Sequence, residues 1–168
     1  MPAALLDANV LIAMVHAIHV HHATAQRWMG TQRNRRWASC AVTQLAFIRL
    51  GALPQIGGPD ASPSRALDLL QVIVADPRHD YWSEAPSPLD LRSLRSVALV
   101  GHRQVTDAWL LGLAVERGAS VATLDRGLHS FALAEGLGKH VEWIAPASAA
   151  HEPAAAYAPR RVTRRRDR

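Results

Sequence analysis

Ala3-Ala4-Leu5-Leu6-Asp7-Ala8-Asn9-Val10-Leu11-Ile12-Ala13 is a short apolar run stopped by a carboxylate and followed at once by a second apolar run. The first run suits a buried strand over 3–6, and the longer one suits a helix over 8–17. The pattern recurs twice. Ser120-Val121-Ala122-Thr123-Leu124 ends at Asp125-Arg126-Gly127, and Thr106-Asp107 opens Ala108-Trp109-Leu110-Leu111-Gly112-Leu113-Ala114. A carboxylate at such an edge is costly to bury unless it is paired or binds a metal. Taken singly, Asp7 reads as a helix N-cap, Asp107 as a first-turn acid that complements the helix dipole, and Asp125 as a turn residue.

The rest of the chain supplies the frame for these edges. Helices are expected over 22–33 and over 44–53, the latter capped by Thr43 and stopped by Pro54. Another is expected from Ser62 or Ser64 to about Ala75, and one over 89–100. Thr106 should cap a helix that ends at Gly118, and the last helix should run over 128–135. Strands are expected over 36–41, 79–82, 120–124 and 140–144, with loops at 54–63 and 84–88. Short buried strands alternating with helices predict a three-layer α/β/α sandwich around a central parallel sheet. In such a sheet Asp7 and Asp125 both fall at strand C-termini, on the edge where ligands bind, and Asp107 starts a helix at that edge. Three like charges so gathered repel, and a hard divalent cation is the usual remedy.

The motifs Leu5-Leu6-Asp7-Ala8-Asn9-Val10-Leu11-Ile12-Ala13, Val105-Thr106-Asp107-Ala108-Trp109-Leu110 and Ala122-Thr123-Leu124-Asp125-Arg126-Gly127 resemble, in order and spacing, those of PIN-domain ribonucleases. The resemblance is closer to the VapC toxins of VapBC toxin–antitoxin pairs and covers roughly residues 3–145. It implies a Mg²⁺- or Mn²⁺-dependent endoribonuclease with Asp7, Asp107 and Asp125 as catalytic metal ligands. It also implies an RNA substrate, a small antitoxin partner, a homodimer and 5′-phosphate and 3′-hydroxyl product ends. Asn9 and Thr106 are expected to orient the acids, and Arg126 to pair with Asp125 or touch a phosphate. One departure stands out. The family usually carries a glutamate after the second strand, where this chain has Gln44. A carboxamide brings no charge, so weaker metal binding is expected. The alternative is a PIN fold that binds RNA or antitoxin but cuts poorly.

Composition narrows the rest. The 168 residues suit one domain at 1–145 and a basic Ala-, Pro- and Arg-rich tail at 146–168. Residues 151–168 hold six arginines against two acids, so most of the net charge of +5 sits there. The high pI therefore says little about nucleic-acid binding by the folded part, though the tail could hold RNA electrostatically. No apolar run is long enough to span a bilayer, and Asp7 interrupts any signal-like start. Cys40 is the single cysteine, which excludes an internal disulfide and fits a cytoplasmic protein. His19, His21 and His22 lack metal-ligand spacing and read as a solvated loop. Arg33, Arg35 and Arg36 read as a solvated turn or an RNA contact, and Trp109, Leu110 and Leu113 as core or dimer residues. A receiver-type site would need a late-strand lysine, and Lys139 lies just before the final strand with no acids arranged to suit it. A haloacid-dehalogenase-type site is disfavoured by Asn9, and a nucleoside triphosphatase by the lack of a glycine-rich loop.

Overall fold

In the computed structural model, residues 2–83, 87–88, 99 and 101–145 are described. The expected helix over 89–100 and the basic tail lie outside the described residues. Strand β1 is Ala4–Leu6 and is followed by helix α1, Ala8–Val15. Then come α2 (His22–Thr31), β2 (Trp37–Cys40), α3 (Ala41–Gly51), a one-turn α4 (Pro54–Gly57) and α5 (Pro63–Val74). The remainder is β3 (His79–Trp82), α6 (Arg103–Glu116), β4 (Ser120–Thr123), α7 (Arg126–Ala134) and β5 (Val141–Trp143).

The five strands lie in the order β3-β2-β1-β4-β5, and every pairing is parallel. The order runs outward from β1 in one direction and then resumes on its other side with β4. The crevice at the carboxyl ends of β1 and β4 is therefore the topological switch point of the sheet. Alternation along the strands sorts the core into two layers. Leu5, Ala38, Cys40, Val121 and Val141 meet Trp109, Leu110, Leu113, Leu128 and Phe131 of α6 and α7. Ala4, Leu6, Trp37 and Ala122 face the other way, onto Val10, Leu11, Met29, Phe47 and Leu70. The sandwich expected from the sequence is the one observed. Trp109, Leu110 and Leu113 are core residues, none more than 7% exposed.

Several element starts differ from expectation for local reasons. Helix α3 begins at Ala41, two residues before Thr43. Thr43 is the third helical residue, and its hydroxyl reaches back to accept from the Cys40 N–H at 3.0 Å. Pro54, with φ already suited to a first helical position, starts α4 where a loop was expected. Helix α6 begins at Arg103 because the chain turns at Gly101, whose carbonyl accepts from Gln104 N–H at 3.1 Å. Thr106 is thus an exposed residue inside the helix and not its cap. Asp107 falls in the second turn. The far end stops as expected, with Gly118 in the left-handed region at φ 61°.

Arg35 is not a solvated turn residue. Its side chain is 7% exposed and reaches the amino ends of β4 and β5. Nε donates to the Pro2 carbonyl at 2.7 Å, Nη2 to Ser120 Oγ at 2.9 Å and Nη1 to Glu142 at 2.9 Å. Ser120 Oγ donates to the same glutamate at 2.5 Å. Arg36 is exposed and forks onto Asp80 across β2 and β3. Arg35→Ala should destabilise the fold by about 2–3 kcal/mol, somewhat less than a fully buried pair because Glu142 keeps some solvent. Denaturant unfolding checks this; a loss below about 0.5 kcal/mol contradicts it.

Candidate active site

Register carries the first two carboxylates to one place. Leu6 pairs with Ala122, so Asp7 and Thr123 are the next residues on adjacent strands. Asp7 N–H continues the ladder, donating to Ala122 O at 3.0 Å. Asp7 occupies the N-cap position of α1, yet its side chain makes no capping hydrogen bond. It turns to a different set of donors. Asp7 Oδ2 accepts from Asn9 Nδ2 at 2.7 Å and from Thr123 Oγ1 at 2.8 Å. Asn9 Nδ2 also donates to Thr123 Oγ1 at 3.0 Å, and Asn9 Oδ1 accepts from Leu124 N–H at 3.1 Å. Asp125 N–H donates to the same threonine hydroxyl at 3.0 Å. One hydroxyl thus ties together the ends of β1 and β4 and the start of α7.

Asp125 does cap its helix. Oδ1 accepts from Gly127 N–H at 2.6 Å. A Cβ at 127 would stand 2.9 Å from that oxygen, so a larger residue there would shift the Asp125 carboxylate. Asp107 reaches the group from α6, and its position is visible in its acidity. Burial, followed by the charges of Asp7 and Asp125, pushes its pKa up to about 6. Asp7 is also raised, mainly by burial and in part by Asp125. The Thr123 hydroxyl and the N–H groups of Ala8 and Asn9 pull the other way. The three aspartates therefore share one electrostatic neighbourhood. Among the described residues, no group of three or more His, Cys, Asp or Glu side chains stands as a ready-made metal cage. What fits a divalent cation is the donor chemistry: hard oxygens, two of them on groups whose ionised form is under strain.

The other expected residues are distributed unevenly. Asn9 orients Asp7 as expected. Thr106 does not take part in the described hydrogen bonds around the acids; the hydroxyl in that role belongs to Thr123. A signal for it existed in Thr123-Leu124-Asp125, since residues two apart along an extended chain share a face. Gln44 is tied to β2. Its Nε2 donates to Ser39 Oγ at 2.8 Å, and that oxygen lies 2.7 Å from His79 Nε2. Burial keeps His79 below the usual histidine pKa, and the ring's tautomer sets which of the two groups donates. Arg126 lies over the Trp143 ring, its Cζ 5.6 Å from the centroid. His22 Nδ1 bonds the Ala13 carbonyl at 2.7 Å, and the His19 ring lies 5.7 Å from that of His21.

A PIN-domain profile matches residues 4–133. The chain belongs to the PIN-domain family. Ribonuclease VapC44 of Mycobacterium tuberculosis is 40% identical over 125 residues, covering 74% of this chain and 87% of the relative. Ribonuclease VapC29 of the same organism is 40% identical over 124 residues, covering 74% and 86%. Ribonuclease VapC39 is 34% identical over 126 residues, covering 74% and 90%. The chain is thus a PIN-domain protein of the VapC type, and relatives bearing ribonuclease names do not favour the reading of a mere binder.

Two outcomes follow. A raised carboxyl pKa means that the folded state binds the proton more tightly than the unfolded chain. Without divalent cation, the contribution of Asp7 and Asp107 to stability should therefore fall as pH rises from about 4 through 6 and stay low above that. Asp107→Asn should flatten this slope and raise the melting temperature at pH 7 by a few degrees; an unchanged slope contradicts the shared neighbourhood. Gln44→Glu should cost about 1–2 kcal/mol at neutral pH, because a carboxylate cannot donate to Ser39. The loss should shrink in acid as His79 takes a proton; unfolding midpoints that are equal to wild type at both pH values contradict this.

Proposed function

We propose that this protein is a Mg²⁺- or Mn²⁺-dependent endoribonuclease, the toxin of a VapBC-type pair, with Asp7, Asp107 and Asp125 as its catalytic carboxylates. The observation that supports this best is the convergence of those acids at the sheet's switch point, where Asp107 is held at a pKa of about 6 by burial and by its two neighbours. Asp7, Asp107 and Asp125 would hold the ion. A bound divalent cation supplies positive charge at the scissile phosphate and acidifies the attacking water. The chain's own residues do the positioning. Thr123 and Asn9 fix Asp7 Oδ2, and the Gly127 N–H fixes Asp125 Oδ1. Asp107 keeps a proton at acid pH, so the full negative charge of the site is available only above about pH 6. With Gln44 tied to Ser39, the site works with three charges, and one tightly held ion is the stoichiometry that fits.

In this reading the protein's partner is a small antitoxin, and the three carboxylates define what that partner must offer. An arginine or another basic group directed at the three carboxylates would neutralise them and close the crevice to RNA. A homodimer, a cytoplasmic location and 5′-phosphate and 3′-hydroxyl products belong to the same proposal. Among the described residues, no helix is long and apolar enough to cross a membrane.

Purified protein freed of any partner should cleave structured RNA with Mg²⁺ or Mn²⁺ and stop when chelator is added. Asp7→Asn should abolish cleavage while circular dichroism and melting remain native. Cutting that persists in chelator contradicts the metal mechanism, and failure to cut any RNA contradicts the enzyme.

A further inference from the structure

Beside the carboxylates lies a second constellation, on β5 and α7. Trp143 is the register partner of Thr123, the residue whose hydroxyl holds Asp7. Adjacent strands run about 4.8 Å apart, so the indole is rooted one strand away from the acids. Ile144 N–H donates to Thr123 O at 2.8 Å and fixes that register. Arg126 and His129 stand three apart on α7 and so share a face. Arg126 Cζ sits 5.6 Å from the Trp143 ring centre. The His129 ring stacks on the same indole at 5.5 Å with 24° between planes. All three side chains are partly exposed. The indole N–H is buried and has no partner among the described residues, so stacking is what locates the ring.

The chemistry of this group complements that of the acids. Three carboxylates repel an RNA backbone, and a guanidinium fixed immediately beyond Asp125 offsets that repulsion at a defined point. A guanidinium over an aromatic ring is held by the ring's quadrupole, and its planar fork of five N–H donors matches the oxygens of a phosphate. Unpaired RNA offers both partners this surface suits, a phosphate for the edge and a base for stacking on Arg, Trp or His planes. We propose that Arg126, held over Trp143 and backed by His129, seats the unpaired nucleotide that adjoins the scissile phosphate. The proposal rests on the ribonuclease reading and adds to it the part of the surface that grips the strand. Arg126 is a substrate-contacting residue in this account, Trp143 and His129 its positioning residues.

The test pairs cleavage kinetics with binding of a short unpaired oligoribonucleotide to the full-length Asp7→Asn protein across a salt series. Arg126→Gln should raise KM about tenfold, with a smaller fall in kcat. In the Asp7→Asn background it should lower the slope of log affinity against log salt by about 0.7, the loss of one phosphate contact on a single strand. Arg126→Lys should restore the slope but only part of the KM, because an ammonium lacks the planar fork. Trp143→Phe, which keeps a ring beneath the guanidinium, guards against a variant that fails to fold and should stay closer to wild type than Arg126→Gln. A wild-type enzyme that cleaves while Arg126→Gln leaves KM and slope unchanged overturns the platform and spares the ribonuclease reading. So does a lowered melting temperature with unchanged KM, which marks the stack as a latch between α7 and β5. Wild-type protein that cuts nothing overturns the ribonuclease reading instead, and a salt slope insensitive to Arg126 then removes the platform as well.

Discussion

A parallel sheet delivers the carboxyl ends of all its strands to one edge, and at this protein's switch point that edge holds acids that repel one another. Everything around them is arranged to hold the repulsion in place. The β1–β4 register sets Asp7 beside Thr123. The threonine hydroxyl then serves Asp7, Asn9 and the Asp125 N–H at once. Asp107 is carried in by a helix whose inner face is anchored by Trp109, Leu110 and Leu113. Packing on both faces of the sheet fixes the elements that carry the acids, so a proton relieves their repulsion, and a cation is proposed to do the same.

The two ends of β4 and β5 contrast with each other. At the amino end, Arg35, Ser120 and Glu142 form a closed set in which the charges cancel. At the carboxyl end, Asp7 has hydroxyl and amide donors and Asp125 a backbone donor, and the pKa values of Asp7 and Asp107 remain raised. A hydrogen bond orients a carboxylate without cancelling its charge. The amino end therefore acts as a structural clamp, while the carboxyl end keeps a charge that a ligand can use. Arg126, the residue after Asp125, lies over Trp143 at this same end.

Much of this was legible in the chain because the decisive residues sit where short apolar runs stop. Asp7 and Asp125 could be placed once the strands were read, since a parallel sheet sends both to one edge. Helix starts were harder. Thr106 looks like a cap in sequence, but the turn at Gly101 starts the helix earlier, and the useful hydroxyl comes from Thr123 on a neighbouring strand. Arg35 was hidden among three arginines, and only the third dimension distinguishes the buried clamp from its exposed neighbours. Gln44 was legible as a missing charge, but its tie to Ser39 and His79 depends on β2–β3 pairing, which no local pattern reports.

Asp7, Asp107 and Asp125 are proposed to form one anionic crevice that a divalent cation neutralises. This is tested most directly by following the Asp107 carboxyl carbon by NMR across pH, with and without saturating Mg²⁺. A midpoint of about 6 is expected without the ion, falling below the ordinary aspartate value of about 4 when Mg²⁺ is present. A midpoint near 4 in cation-free protein, unmoved by Mg²⁺, would contradict it.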